Sequence, residues 1–164
     1  MKPFKIHLLF LLIIISISSL KAQKNEEKDQ LVEMEVKTTK PYYGSSYLIE
    51  LTKKGASENW FLPMIIGECE ARAAVRSKNE TPFPRPLTYD LFASIFSKTN
   101  LKLKHVVITK LFESTFYAVL VIEDNGKTIE IDSRPSDAIN IALKTKVSIF
   151  ATETVINDAK ETRE

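Results

Sequence analysis

Between Glu130 and Leu143 the chain places Glu130, Asp132, Ser133, Arg134, Ser136 and Asp137, its densest run of groups able to do chemistry. Carboxylates two residues apart on a strand share one face, about 7 Å from each other. That rule pairs Glu130 with Asp132 and leaves Asp137 just beyond them. Oxygen-only donors of this kind suit a hard divalent cation, Mg2+ or Mn2+, better than zinc. Such a cation polarises a phosphodiester and acidifies a bound water. Arg134 can neutralise the charge that grows on phosphoryl oxygens, and the N–H groups of a helix start can add to it. The expectation is therefore Asp132, Arg134 and Asp137 as catalytic groups, Asp132, Asp137 and Glu130 as metal ligands, and Ser133 and Ser136 on the substrate. A second reading needs the same residue types. Ser133 or Ser136 would cap a helix, Asp137 would serve its terminus, and Arg134 would pair with Asp90 or Asp132.

Two elements must position this cluster. Thr128 to Asp132 alternates, with Ile129 and Ile131 on one face, as a half-buried strand does. Pro135 suits a first helical turn, where its missing N–H is no loss. Asp137 falls in the same turn, where the helix dipole favours a carboxylate by roughly 0.3–1 kcal/mol. From Ala138 the segment is apolar nearly all round, so the helix should be buried.

Ser133-Arg-Pro-Ser-Asp-Ala138, with Asp132 before it and a short apolar helix after it, resembles the signature of the bifunctional nuclease domain family. Leu62-Pro-Met-Ile-Ile-Gly67, followed by Glu70-Ala71, and Pro84-Arg-Pro-Leu-Thr-Tyr-Asp-Leu91 resemble two further stretches of that family, in the same order. The likeness runs from about Leu31 to about Val155. It implies hydrolysis of phosphodiester bonds in DNA and RNA with a divalent metal, and it adds Arg85 and Asp90 as supporting site residues. The family often has His-Asp where this chain has Tyr89-Asp90, which removes a candidate general base. Relatives also tend to place glycine before the last strand, where this chain has Lys144-Thr145-Lys146; Lys146 is then expected in a left-handed turn.

The chain of 164 residues suits a single domain. Lys2 and Lys5 precede an apolar run from Ile6 to Ile17 and then Ser18 to Ala22, the order of a secretory signal peptide. Cleavage after Ala22 is expected, which makes the product exported, periplasmic or secreted; an uncleaved N-terminal anchor is the alternative. Lys2, Lys5 and Lys21 are the charged residues of that leader. The remainder carries 23 − 3 = 20 basic against 21 acidic side chains, so no bulk positive field gathers nucleic acid. Cys69 is the lone cysteine, which excludes an internal disulfide; it is expected as a small buried residue. Glycine-rich phosphate loops, Cys/His metal spacings and nucleophile elbows are absent from the sequence. His105, between strand-forming residues, is expected to be structural.

The expected order is a flexible leader over 23–30, a domain over 31–155 and a charged tail over 156–164. Strands are expected over Leu31–Lys37, Tyr47–Thr52, Trp60–Ile66 (an edge or a bulge, because of Pro63), Leu101–Leu111, Phe116–Ile122, Thr128–Asp132 and Val147–Ala151. Asp124-Asn125-Gly126 marks a hairpin. Helices are expected over Glu68–Arg76, with Ala71, Ala74 and Val75 inward, from about Thr88 with Leu91, Phe92 and Ile95 on its apolar face, and after Pro135. The class is α+β, with a mixed or antiparallel sheet and about three helices. Apolar strand faces and edges point to a homo-oligomer. A non-catalytic binding or scaffolding module of the cell envelope is the competing function.

Overall fold

The computed structural model describes residues 29–56 and 60–161; the expected signal peptide lies outside the described residues. The elements run β1 (Leu31–Pro41), β2 (Ser46–Lys53), β3 (Leu62–Gly67), α1 (Glu68–Lys78), α2 (Thr88–Lys98), β4 (Lys102–Phe112), β5 (Thr115–Asp124), β6 (Lys127–Ser133), α3 (Pro135–Thr145), β7 (Ser148–Thr152) and α4 (Glu153–Glu161). They form one α+β domain around a seven-stranded sheet of order β3-β2-β1-β7-β4-β5-β6. The sheet is mixed. β7 runs antiparallel to β1 but parallel to β4, and every other neighbouring pair is antiparallel.

Local chemistry explains the framework. Asn125 and Gly126 both adopt positive φ (48° and 80°), which a two-residue turn between β5 and β6 needs. β3 is an edge strand and tolerates Pro63 there. Alternation puts Ile49 and Leu51 of β2, Val106 and Ile108 of β4, and Leu120 and Ile122 of β5 in one core with Ile139 of α3. Each such large side chain, taken from water, contributes about 1.5–3 kcal/mol. α1 and α3 pack against each other over this face. Lys146 ends α3 in the left-handed region, φ 59° and ψ 34°, as the family likeness implies.

Several expectations are corrected. The tail expected from residue 156 is instead the body of α4, which buries Val155, Ile156 and Ala159 in the core. α2 buries none of its residues: Leu91, Phe92 and Ile95 remain exposed, because α2 lies on α3 at the margin of the core. Val75 points outward too. β6 is the other edge strand, so Ile129 and Ile131, although on the core side opposite Ile122 and Leu120, stay exposed. Cys69, in the first turn of α1, is exposed.

Candidate functional site

The site is built where the first turns of α1 and α3 meet. Asn140, fully buried on α3, fixes that junction: its Nδ2 donates to the Glu70 carbonyl of α1 at 3.1 Å and to the Ser136 carbonyl at 2.8 Å. Above it, Arg134 lies at the N-terminus of α3 and reaches two carboxylates. Its Nε donates to Asp137 Oδ2 at 2.7 Å, and its Nη2 donates to Asp137 Oδ1 at 3.1 Å and to Glu70 Oε1 at 3.0 Å. Tyr89 of α2 completes the group by donating its hydroxyl to Asp137 Oδ1 at 2.8 Å. Burial first, and the Asp137 carboxylate second, push the Tyr89 phenol far above its ordinary range, so it stays a neutral donor. The Arg134 guanidinium is held charged by Asp137 and then by Glu70.

The guanidinium is nonetheless open on one side. About two thirds of the Arg134 side chain is exposed, against 18% for Glu70, and its Nη1 makes no hydrogen bond among the described residues. It forms part of the wall of a cleft of about 1300 Å3. Gly67, Glu68, Cys69 and Glu70 line one side; Arg134, Pro135 and Ser136 line another; Tyr42 and Phe116 reach in from the β1–β2 and β4–β5 hairpins. Gly67 and Arg134, the residues that begin the two helices, supply no side-chain cap. The first residues of both helices therefore line the same opening, and a helix start is a place that suits an anion.

The expected site residues divide into those this junction gathers and those it does not. Arg134, Ser136 and Asp137 come together; Ser133 is adjacent, donating its hydroxyl to the Arg134 carbonyl at 3.1 Å. Asp90 is elsewhere. It accepts from the Leu87 N–H at 2.8 Å, capping α2, and pairs with Lys144 at 2.5 Å; Lys144 and then the Leu87 N–H hold its carboxyl below the ordinary range. Arg85 is exposed in the proline-rich connector before α2. Glu130 and Asp132 are exposed on β6 and share the sheet face opposite Ile129 and Ile131, where Asp132 pairs in register with Val119. Asp137 faces Arg134 and Tyr89 instead. Neither Asp132 nor Asp137 lines the cleft. Among the described residues no three acidic, histidine or cysteine side chains are grouped closely enough to hold a cation. Glu130, Asp132 and Asp137 as arranged do not form the ligand set a bound Mg2+ or Mn2+ would need.

Arg134 thus pairs with Asp137 and Glu70, and not with Asp90 or Asp132. His105 packs edge-on to the Phe150 ring, 5.2 Å between centroids, and desolvation lowers its pKa. Glu70, Tyr89 and Asn140 are the residues that sequence reasoning did not assign to the site. Glu70-Ala71 and Tyr89 both lay inside stretches that carry the family likeness, which was the available signal.

Fold and site together define a class. Residues 51–164 match the model of the bifunctional nuclease domain, and the chain belongs to that family. It is 38% identical over 109 residues to an uncharacterized protein of Mycobacterium tuberculosis, covering 66% of this chain and 65% of that one. It is 31% identical over 91 residues to bifunctional nuclease 1 of Oryza sativa subsp. japonica, and 30% identical over 91 residues to bifunctional nuclease 1 of Arabidopsis thaliana; each match covers 54% of this chain and 28% of the plant protein. The chain therefore spans less than two thirds of the length of these relatives.

Proposed function

We propose that this protein is a nuclease that hydrolyses phosphodiester bonds in DNA and RNA at the α1–α3 cleft. Membership of the bifunctional nuclease domain family supports the reaction class, and one observation carries the location: Arg134, pinned by Asp137 and Glu70 through Nε and Nη2 alone, lines a cleft together with the first residues of two helices. A guanidinium fixed on one edge and free on the other is pre-organised to take a phosphoryl oxygen. Tyr89 and Asp137 act behind it as positioning residues. Export through the N-terminal leader and assembly into a homo-oligomer belong to the same proposal, as does assistance by Mg2+ or Mn2+, with substrate phosphate oxygens completing a ligand set that the described side chains do not form by themselves.

A specific observation favours the competing reading of a non-catalytic binding module of the cell envelope. The acids that line the cleft are paired: Glu50 with Lys40, Glu68 with Arg72 and Glu70 with Arg134. Purified protein and its Arg134→Ala and Asp132→Asn variants, given single-stranded DNA, duplex DNA and RNA with Mg2+, Mn2+ or EDTA, separate the two. The nuclease reading expects cleavage, reduced about 100-fold or more in Arg134→Ala and unchanged in Asp132→Asn. Retained binding with no cleavage under any condition selects the module instead.

A further inference from the structure

Glu70 does more in this geometry than hold Arg134. Only Oε1 receives the guanidinium; Oε2 accepts no hydrogen bond among the described residues. That second oxygen is folded back over Gly67, so closely that a Cβ built there would stand 2.5 Å from it. Gly67 has ordinary extended angles, φ −72° and ψ 162°, so its backbone does not require glycine. What the missing side chain provides is room for the Glu70 carboxylate. Gly67 and Glu70 both line the cleft that Arg134 lines, and Glu70 is in contact with the guanidinium.

We infer that Glu70 is the general base of the hydrolysis proposed above, with Gly67 conserving the space in which its Oε2 waits beside a phosphate bound by Arg134. The inference rests on that reading of the cleft. One carboxylate oxygen is anchored by Arg134, which sets the orientation of the other. A single water can bridge a base and the atom to be attacked. Glu70 Oε2 takes a proton from that water as its oxygen forms the new bond to phosphorus. The phosphorus–ester oxygen bond breaks, and the departing alkoxide takes a proton from solvent. Glu70 then releases its proton to solvent, so one water is consumed and a phosphomonoester and an alcohol are formed. The assignment also accounts for a functional site without histidine, since the tyrosine that stands in the Tyr89-Asp90 pair is held neutral and bonded to Asp137.

The test uses the purified chain and a single-stranded DNA oligonucleotide, which has no 2′-hydroxyl and so requires water as the nucleophile. Glu70→Gln keeps an oxygen for Arg134 but cannot take a proton. Its kcat should fall about 100-fold or more, with KM and melting temperature little changed. The acid limb of the kcat/KM profile present in the wild type should disappear. Gly67→Ala should keep its fold and also lose turnover, because the new methyl displaces the carboxylate. Wild-type cleavage matched by Glu70→Gln, with the same acid limb, overturns the role of Glu70 and leaves the nuclease reading standing. A wild type that cleaves nothing overturns both.

Discussion

Strand β6 leaves all but its last residue exposed, whereas helix α3, which begins at Pro135, buries Ser136, Ala138, Ile139, Asn140, Ile141 and Ala142. The two are neighbours in sequence and opposite in packing. β6 has β5 on one side and, among the described residues, no strand on the other. α3 lies over β4 and β5, with α1 and α2 against it. A side chain at the start of α3 is therefore carried by a packed helix, and one on β6 by an exposed edge strand. Geometry fine enough for chemistry needs the first kind of support. Arg134 and Asp137 have it; Glu130 and Asp132, richer in charge per residue, do not.

That contrast can be broken most directly at Asn140. Asn140→Asp replaces a donor to two carbonyls with an acceptor in a fully buried place, and should cost about 3 kcal/mol at neutral pH. Burial raises the folded pKa of the new acid above its unfolded value. The penalty should therefore shrink as pH falls and the carboxyl becomes a neutral donor, which denaturant titrations at several pH values would show. Asn140→Ala should cost about 2 kcal/mol, near 1 for each bond lost. If either variant unfolds like the wild type, Asn140 does not fix α3 against α1.

A smaller effect is expected at the other end of the helix. Lys146→Gly should raise stability by about 1 kcal/mol, since glycine enters the left-handed region without strain. The Lys146–Glu80 ion pair lost with it is exposed at both ends and contributes little. On the β6 side, His105 reports the charge of the strand. Its pKa lies below 6.5 because of desolvation, while Glu130 pulls it back up and Lys104 pushes it down. The unfolded chain thus binds the proton more readily, so this group's stabilisation is complete above about pH 6.5 and declines as pH falls toward the folded pKa. Glu130→Gln should lower the His105 pKa further, read from its ring proton shifts in an NMR titration. Asp132→Asn should move stability by no more than about 0.5 kcal/mol. A larger loss would mean that β6 is supported by something beyond β5.

The parts of the fold legible in the sequence were those decided by neighbouring residues. Asn125-Gly126 turns because both residues tolerate positive φ, α3 begins at Pro135 because proline fits a first turn, and Pro63 marks an edge. The run Ser133–Asp137 also announced the site. Its partners did not show, because Glu70 meets Arg134 across 64 residues of chain and Tyr89 meets Asp137 across 48. Local spacing carries no information about such meetings. Reading Glu130, Asp132 and Asp137 as one ligand set treated closeness in sequence as closeness in space, but β6 and α3 aim their side chains in different directions. α4 was obscured by composition: Asn157, Asp158, Lys160 and Glu161 read as a tail, while Val155, Ile156 and Ala159 are the side that packs.

The place of β7 carries a consequence for how the chain is assembled during synthesis. β1, β2 and β3 pair among themselves, and so do β4, β5 and β6; β7 alone joins the two sets, binding β1 on one side and β4 on the other. Leu31 waits for Thr152. Each half can form its hairpins as it leaves the ribosome, but the sheet cannot close until Ser148–Thr152 has been made. Pairings that span so much sequence form slowly. Until Ser148–Thr152 emerges, the nascent chain carries two unfinished sheets, each with an open edge.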